Sequence, residues 1–413
     1  MPTYRPIPLC LAALVAAACG LGMAPRAAAQ IQGSMSFGAA SPETFRPLLT
    51  KGEIEVMSRL LKLAPEDRAS VAALFEAHDL EVRSEGSKVR ARCREWSEEA
   101  ELFQRHELQR KIAPELASWE KRKQSLEKQF LDDLTTMLTK EQEAMWPLVE
   151  REIRRPRQLA TSWMSGEGVD VVALLASVDP GASENVKVVE LLERYAAEVD
   201  TALKERDAFV KANAEEAGET VRTDPKRALF LRQTSVRNRV KVREINKRYV
   251  NQLAAELSEP SRSRFLDEYL TKCVLWLNRE THAERYIKSA IALQDIDPSK
   301  RSDLESISRE YSKAVIEITR RTVNEYQAYE ETRIPRRLRI ALGLEAETEQ
   351  HVNDVADAPE GTPLAKVRRE RLALDRKFRS RVDALLSAEQ QALIEDQGDV
   401  ETRFSSLNDD NQL

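Results

Sequence analysis

The chain contains none of the short motifs on which common enzyme sites are built. No H-E-x-x-H, G-x-S-x-G, phosphate-binding P-loop or G-x-G-x-x-G occurs in its 413 residues, so zinc-protease, serine-hydrolase, NTPase and dinucleotide chemistry in those forms are excluded. Carboxylates are plentiful, but in a chain with 32% charged residues a close pair reads as a solvated helix face rather than an acid/base couple. Histidine is rare: His78, His106, His282 and His351 are the four, and none stands at helical spacing from another, so metal ligation is the weaker reading and core packing of His78 the stronger. After the first 29 residues only Cys93 and Cys273 remain. Burial of each thiol as a small hydrophobe is the expectation, with a Cys93–Cys273 disulfide as the alternative. No stretch beyond the N-terminus approaches the roughly 18 consecutive apolar residues of a transmembrane helix, so no transmembrane anchor is expected. Glycine is scarce and stands largely at junctions such as Gly166, Gly168, Gly343 and Gly361. That is the composition of long helices.

Met1 to Ala29 has the pattern of an export signal, with Arg5 as a sparse basic region, an apolar run at Leu9–Ala18 and Ala27-Ala28-Ala29 as a small-residue cleavage site. The expected location is periplasmic or secreted. The competing lipoprotein reading, acylation at Cys19, is weakened by Ala16, which stands where a large aliphatic is usual. Removal of Arg5 and Arg26 leaves 62 basic against 69 acidic residues, a net charge of −7.

One stretch is built three times. Leu126–Trp146 (LEKQFLDDLTTMLTKEQEAMW) recurs without a gap as Ile245–Phe265 (INKRYVNQLAAELSEPSRSRF) and Leu374–Ile394 (LDRKFRSRVDALLSAEQQALI). Leu126, Phe130, Leu134 and Leu138 and their counterparts fall four apart, which sets them on one slowly drifting helical face. Thr139, Ser258 and Ser387 follow the last leucine as N-caps, and Gln142 and Gln390 complete a capping box in two copies. The middle copy has Ser261 in place of the glutamine, with Pro260 in its first turn.

A second motif precedes each copy and closes at Pro65, Pro180 or Pro298, with Asp179 and Asp297 as natural caps. With two extra residues allowed in the middle copy, Val71 aligns with Val188 and Leu304, and His78 with Tyr195 and Tyr311. The prolines are 115 and 118 positions apart, a common domain size. The expected organisation is all-α: a signal peptide over 1–29, a flexible leader over 30–45, three tandem long helical hairpins with short flanking helices over 46–164, 165–279 and 280–397, and a polar tail over 398–413. Val71, Val82, Val89 and Cys93 form a near-heptad seam in the first unit, with Gly86 inside it and Pro114 at its tip. The second tip is expected over 211–225, and the third over 334–363, the least regular stretch.

The paired segments Leu61-Lys-Leu-Ala-Pro-Glu-Asp-Arg68 and Leu138-Thr-Lys-Glu-Gln142, with Leu386-Ser-Ala-Glu-Gln390, lie around helical hairpins behind an export signal. They resemble the Spy/CpxP type of bacterial periplasmic protein with its LTxxQ motif. The resemblance implies small all-helical proteins that dimerise into curved surfaces and act as ATP-independent chaperones or envelope-stress modules. Three units in one chain depart from a single-hairpin dimer, which leaves the oligomeric state open.

Four basic clusters stand out, at 151–157, 237–248, 333–339 and 366–371. The acidic total and the export signal argue against nucleic acid. The second and fourth read as wet faces of long helices. The third, with Arg333, Arg336, Arg337 and Arg339 interleaved with apolar residues, reads first as a solvated tip and second as the candidate client-binding surface. The functional expectation is a non-enzymatic exported binding protein without cofactor, whose partners are unfolded or partly folded envelope proteins or another envelope protein. The alternatives are an extended structural or adaptor protein and a metal-responsive sensor.

Overall fold

The computed structural model describes residues 42–45, 47–99, 105–274, 280–345 and 361–394. The fold is all-α, and no strand occurs among the described residues. The proposed signal, Cys19 and the tail from Gly398 lie outside them. A 3-10 turn at Pro42–Phe45 is followed by α1 (Lys51–Leu60), α2 (Pro65–Glu99), α3 (Arg105–Thr136), α4 (Lys140–Glu143), α5 (Trp146–Ala160) and α6 (Val171–Val178). After a second 3-10 turn at Pro180–Glu184 come α7 (Val186–Thr223), α8 (Pro225–Glu256), α9 (Glu259–Cys273), α10 (His282–Ala292), α11 (Pro298–Ala341) and α12 (Pro363–Asp383). A last helix, α13, begins at 388.

Several expectations are corrected. The leader is ordered at its end, because Phe45 is buried and stacks on Trp119 at 6.5 Å between ring centroids. Pro114 lies inside α3 and marks no tip. Residues 211–223 continue α7, so the second reversal is confined to Asp224, whose carboxylate accepts from the Arg227 amide at 3.0 Å. The third tip starts later than expected: α11 runs through Pro335 to Ala341, and 346–360 lie outside the described residues. Asp179 does not cap α7. The two extra residues of the middle copy are taken up by the 3-10 turn, and Asn185 takes over the cap, accepting from the Lys187 amide at 3.0 Å. Asp297 does cap, accepting from Ser299 N at 2.8 Å.

The chain divides into two compact units, one holding the chain to Arg157 with Pro180–Ala196, the other Gln158–Asp179 and the chain from Ala197. In the first, α2 and α3 run antiparallel: Phe75 meets Phe130 near one end, and Arg92 pairs with Glu115 near the other. Val71, Phe130, Leu134 and Val149 belong to one apolar cluster, and Val82, Val89, Cys93, Trp119 and Leu126 to a second. Full burial of such side chains stabilises by about 1.5–3 kcal/mol each. Gly86 gives Trp119 room in the seam, since a Cβ there would lie 3.1 Å from Trp119 Cζ2, a tight contact that the indole would have to ease by a few tenths of an ångström.

In the second unit, α7 beyond Ala197 lies along α8, joined by Lys241 to Glu205 at 2.5 Å and by the Tyr249 hydroxyl to Glu198 at 3.0 Å. Helices α10, α11 and α12 enclose a core of Ile287, Leu304, Tyr311, Phe378 and Val382. The Tyr311 hydroxyl donates to Asp375 at 2.7 Å, and the Tyr286 hydroxyl to Asp383 at 2.6 Å.

Candidate functional site

The repeated motif residues are placed as follows. Thr139 Oγ1 accepts from the Gln142 amide at 3.3 Å, and the Gln142 side chain accepts from Thr139 N at 2.9 Å. Ser387 and Gln390 make the same reciprocal pair at 3.2 and 3.0 Å. Ser258 stands at the N-cap of α9 with extended backbone but makes no side-chain cap bond. The reason is local. Pro260 removes one of the amides a cap would take, and Arg262 turns back to donate to the Ala254 and Leu257 carbonyls. Beside Thr139 lies a shallow depression lined by Thr136, Leu138, Glu143 and Trp146.

The candidate arginines lie along the last turns of α11. Arg336 Nε and Arg339 Nε converge on the two oxygens of the Glu345 carboxylate at 2.7 and 2.8 Å, and both arginines hold that carboxyl below its usual range. Arg333 sits 5.9 Å from the Tyr329 ring, with its Nε buried and without a hydrogen-bond partner. Arg337 is exposed.

The densest chemistry in the second unit was not anticipated. The turn Ser162–Gly168 enters the protein and carries Glu167, which has no exposed surface. Its carboxylate accepts from Arg206 Nη1 at 2.7 Å, Arg239 Nη1 at 2.9 Å and the Trp163 and Met164 amides, each at 3.3 Å. Asn246 Nδ2 donates to the Gly166 and Glu167 carbonyls at 3.0 Å, and Gly166 N to the Cys273 carbonyl at 3.2 Å. From α11, Glu330 accepts from Ser165 N and Oγ at 3.0 and 2.7 Å. Desolvation pushes the Glu330 carboxyl up, and the Ser165 bonds act against it. Gly166 has φ +74°, and a Cβ there would stand 2.9 Å from Gln327 Nε2. Four helices thus fix one turn.

This overturns one reading. The cluster at 237–248 is not simply a wet face, because Arg239, Arg243 and Asn246 are buried. Two of its charges neutralise acids on the turn and on α11, where Arg243 pairs with Glu331. Of the other clusters, Arg155 is buried against Glu152 and Arg157 reaches Glu53 and Glu127, while Arg368 and Arg369 are exposed.

His78 is buried, its ring centroid 5.2 Å from that of Phe130 and its Nε2 without a partner. Burial lowers its pKa from 6.5, against the pull of Glu127 and Asp79. The aligned Tyr195 and Tyr311 are buried as well. Cys93 and Cys273 are both buried free thiols, and burial raises the Cys273 pKa to about 12. Among the described residues no group of three or more His, Cys, Asp or Glu side chains is arranged to hold a metal, and no helix is long and apolar enough to cross a membrane. Compared with family models, with curated proteins and with solved structures, the chain matches none.

Proposed function

We propose that the protein is an exported, non-enzymatic binding protein of three tandem Spy/CpxP-like hairpins, acting in the bacterial envelope as an ATP-independent chaperone or stress-responsive module. One observation carries the reading. The LTxxQ-like pairs Thr139–Gln142 and Ser387–Gln390 form the same reciprocal capping box at equivalent points of the repeat. Each follows a helix whose aligned Phe130, Tyr249 and Phe378, and Leu134, Leu253 and Val382, are buried. Long charged helices with isolated exposed apolar side chains, Leu80, Phe230, Leu372 and Leu393 among them, suit weak, reversible contact with unfolded chains.

The mature protein is expected to slow aggregation of several unrelated unfolding proteins at comparable molar amounts, without nucleotide, and less so as salt rises. Replacement of Arg333, Arg336, Arg337 and Arg339 by serine weakens this effect and leaves helicity intact. Failure of the intact protein to slow any client, even in excess at low salt, would sink the chaperone reading. An adaptor that sets distance and orientation would take its place. The network around Glu167 favours that second reading, since it makes the turn between α5 and α6 a fixed joint within its unit.

A further inference from the structure

Helices α8 and α11 run antiparallel: Lys247 Nζ donates to Asn324 Oδ1 at 2.9 Å, Arg243 Nη1 to the Gln327 carbonyl at 3.3 Å, and Val236 shares an apolar cluster with Ile334. As the residue number rises on one helix it falls on the other. This register sets the stretch from Arg232 to Arg239 beside the last turns of α11. Both stretches lack acids. From Pro225 to Arg243, α8 has seven basic residues and no acidic one, and from Arg333 to Ala341, α11 has four arginines and no acid. Two basic helix segments therefore lie side by side in a chain whose total charge is negative, an arrangement that costs repulsion unless anions reach it.

The chain supplies some of those anions itself. Glu167 meets Arg239, Glu331 meets Arg243, and Glu345 lies between Arg336 and Arg339. Among the described residues Arg232 and Arg333 form no ion pair, although the charge of Arg333 reaches the buried Glu330 carboxyl and acts against its upward shift. Arg232 lies 4.7 Å over the Trp163 ring, which Arg239 also meets at 4.7 Å, and Arg333 contacts the Tyr329 ring. A guanidinium on an aromatic face can still take a carboxylate at its edge, for Arg333 through its Nη atoms, since its Nε is buried.

We propose that this face, around Trp163 with Arg232 and Arg333 as the cations that the described residues leave without an ion pair, docks an acidic segment of another polypeptide. Two features select a polypeptide over a phosphate polymer. The anions already held on this surface are carboxylates, and Glu345 shows the manner, one oxygen to each of two guanidinium Nε atoms. Apolar groups also stand among the charges: Leu338 and Ile340 are half-buried, and Leu344 is 46% exposed. They offer contacts to aliphatic side chains between the acids. The kind of occupant rests on the client-binding reading, whereas the location rests on the register and the unpaired arginines.

The test is fluorescence anisotropy of a labelled peptide alternating Glu with Leu, measured on the full mature chain at low salt, with the Gln–Leu peptide as control. Arg232→Ser combined with Arg333→Ser is expected to weaken binding at least about tenfold, the equivalent of roughly 1.4 kcal/mol, with helicity unchanged by circular dichroism. Arg232→Glu with Arg333→Glu is expected to lose the acidic peptide and gain a Lys–Leu peptide, which a misfolded variant would not do. Equal binding of the Gln–Leu peptide, or undiminished binding by both variants, overturns the proposal. So does tighter binding of oligothymidylate or of phosphatidylglycerol vesicles through the same arginines, since the occupant would then be nucleic acid or membrane. Aggregation assays on the same proteins separate the two readings. Acidic-peptide binding by a protein that suppresses no aggregation removes only the chaperone reading. Suppression without arginine-dependent peptide binding removes only the docking site.

Discussion

Glu167 is the residue on which the turn of the second unit depends. Its carboxylate takes two guanidinium and two amide donors with no exposure to water. Glu167→Ala leaves Arg206 and Arg239 buried without their shared counter-ion, and loss of one partner from such a set costs about 3–5 kcal/mol. Urea unfolding followed by circular dichroism should show that loss in the transition of the second unit. A change within experimental error would mean that water replaces the carboxylate freely and that the turn is no fixed joint. The sequence carried a readable signal for this site. Val236, Arg239, Arg243, Asn246, Val250 and Leu253 follow one another at steps of three and four, so the two arginines and the asparagine stand in the apolar stripe of α8. A reading that assigns every arginine to water passes over them. Glu167 itself was legible only as punctuation between two glycines, because nothing local shows which buried cations will reach a turn from helices about 40 and 70 positions away.

At the scale of elements, the repeat was legible because it is written in apolar spacing and in caps, both local quantities. Thr139→Ala and Ser387→Ala should each destabilise by roughly 0.5–2 kcal/mol, since each hydroxyl accepts the amide of the third helical residue. Ser258→Ala should cost clearly less, because that hydroxyl makes no cap bond. Unfolding midpoints of the three variants check the contrast. Equal losses would show that the effect comes from helix propensity and not from the cap. The first reversal was misplaced, and the third was begun too early, because proline was read as an end. Pro114 and Pro335 instead lie within long helices whose neighbouring side chains pack: Ile112 and Leu116 against the Trp119 cluster, Ile334 against Val236 and Met164. A proline inside a helix costs about 3 kcal/mol in lost bonding and clash, and packing on both sides offsets a term of that size. Gly343 does mark an end, since with φ +68° it follows α11, whereas Gly86 and Gly218 lie inside helices.

For the whole molecule one measurement separates two of the proposed readings, a protein that works by its surfaces and one that answers to a bound metal. A structural metal adds its binding free energy to folding, and its removal lowers the melting temperature accordingly. For units of 150–250 residues, each kcal/mol lost at the transition moves the midpoint by about 2–4 °C. The buried histidine of the first unit packs on Phe130, and the two buried cysteines are free thiols whose pKa values burial raises. Metal binding would have to take the proton from a desolvated thiol, which burial opposes. The melting temperature of the mature protein, purified under reducing conditions, is therefore expected to stay the same after dialysis against a strong chelator and after return of zinc or copper. A drop of several degrees on chelation, restored by one metal at stoichiometric amounts, would mean that ligands converge in a way the helices do not display, and the metal-responsive reading would then replace the chaperone one.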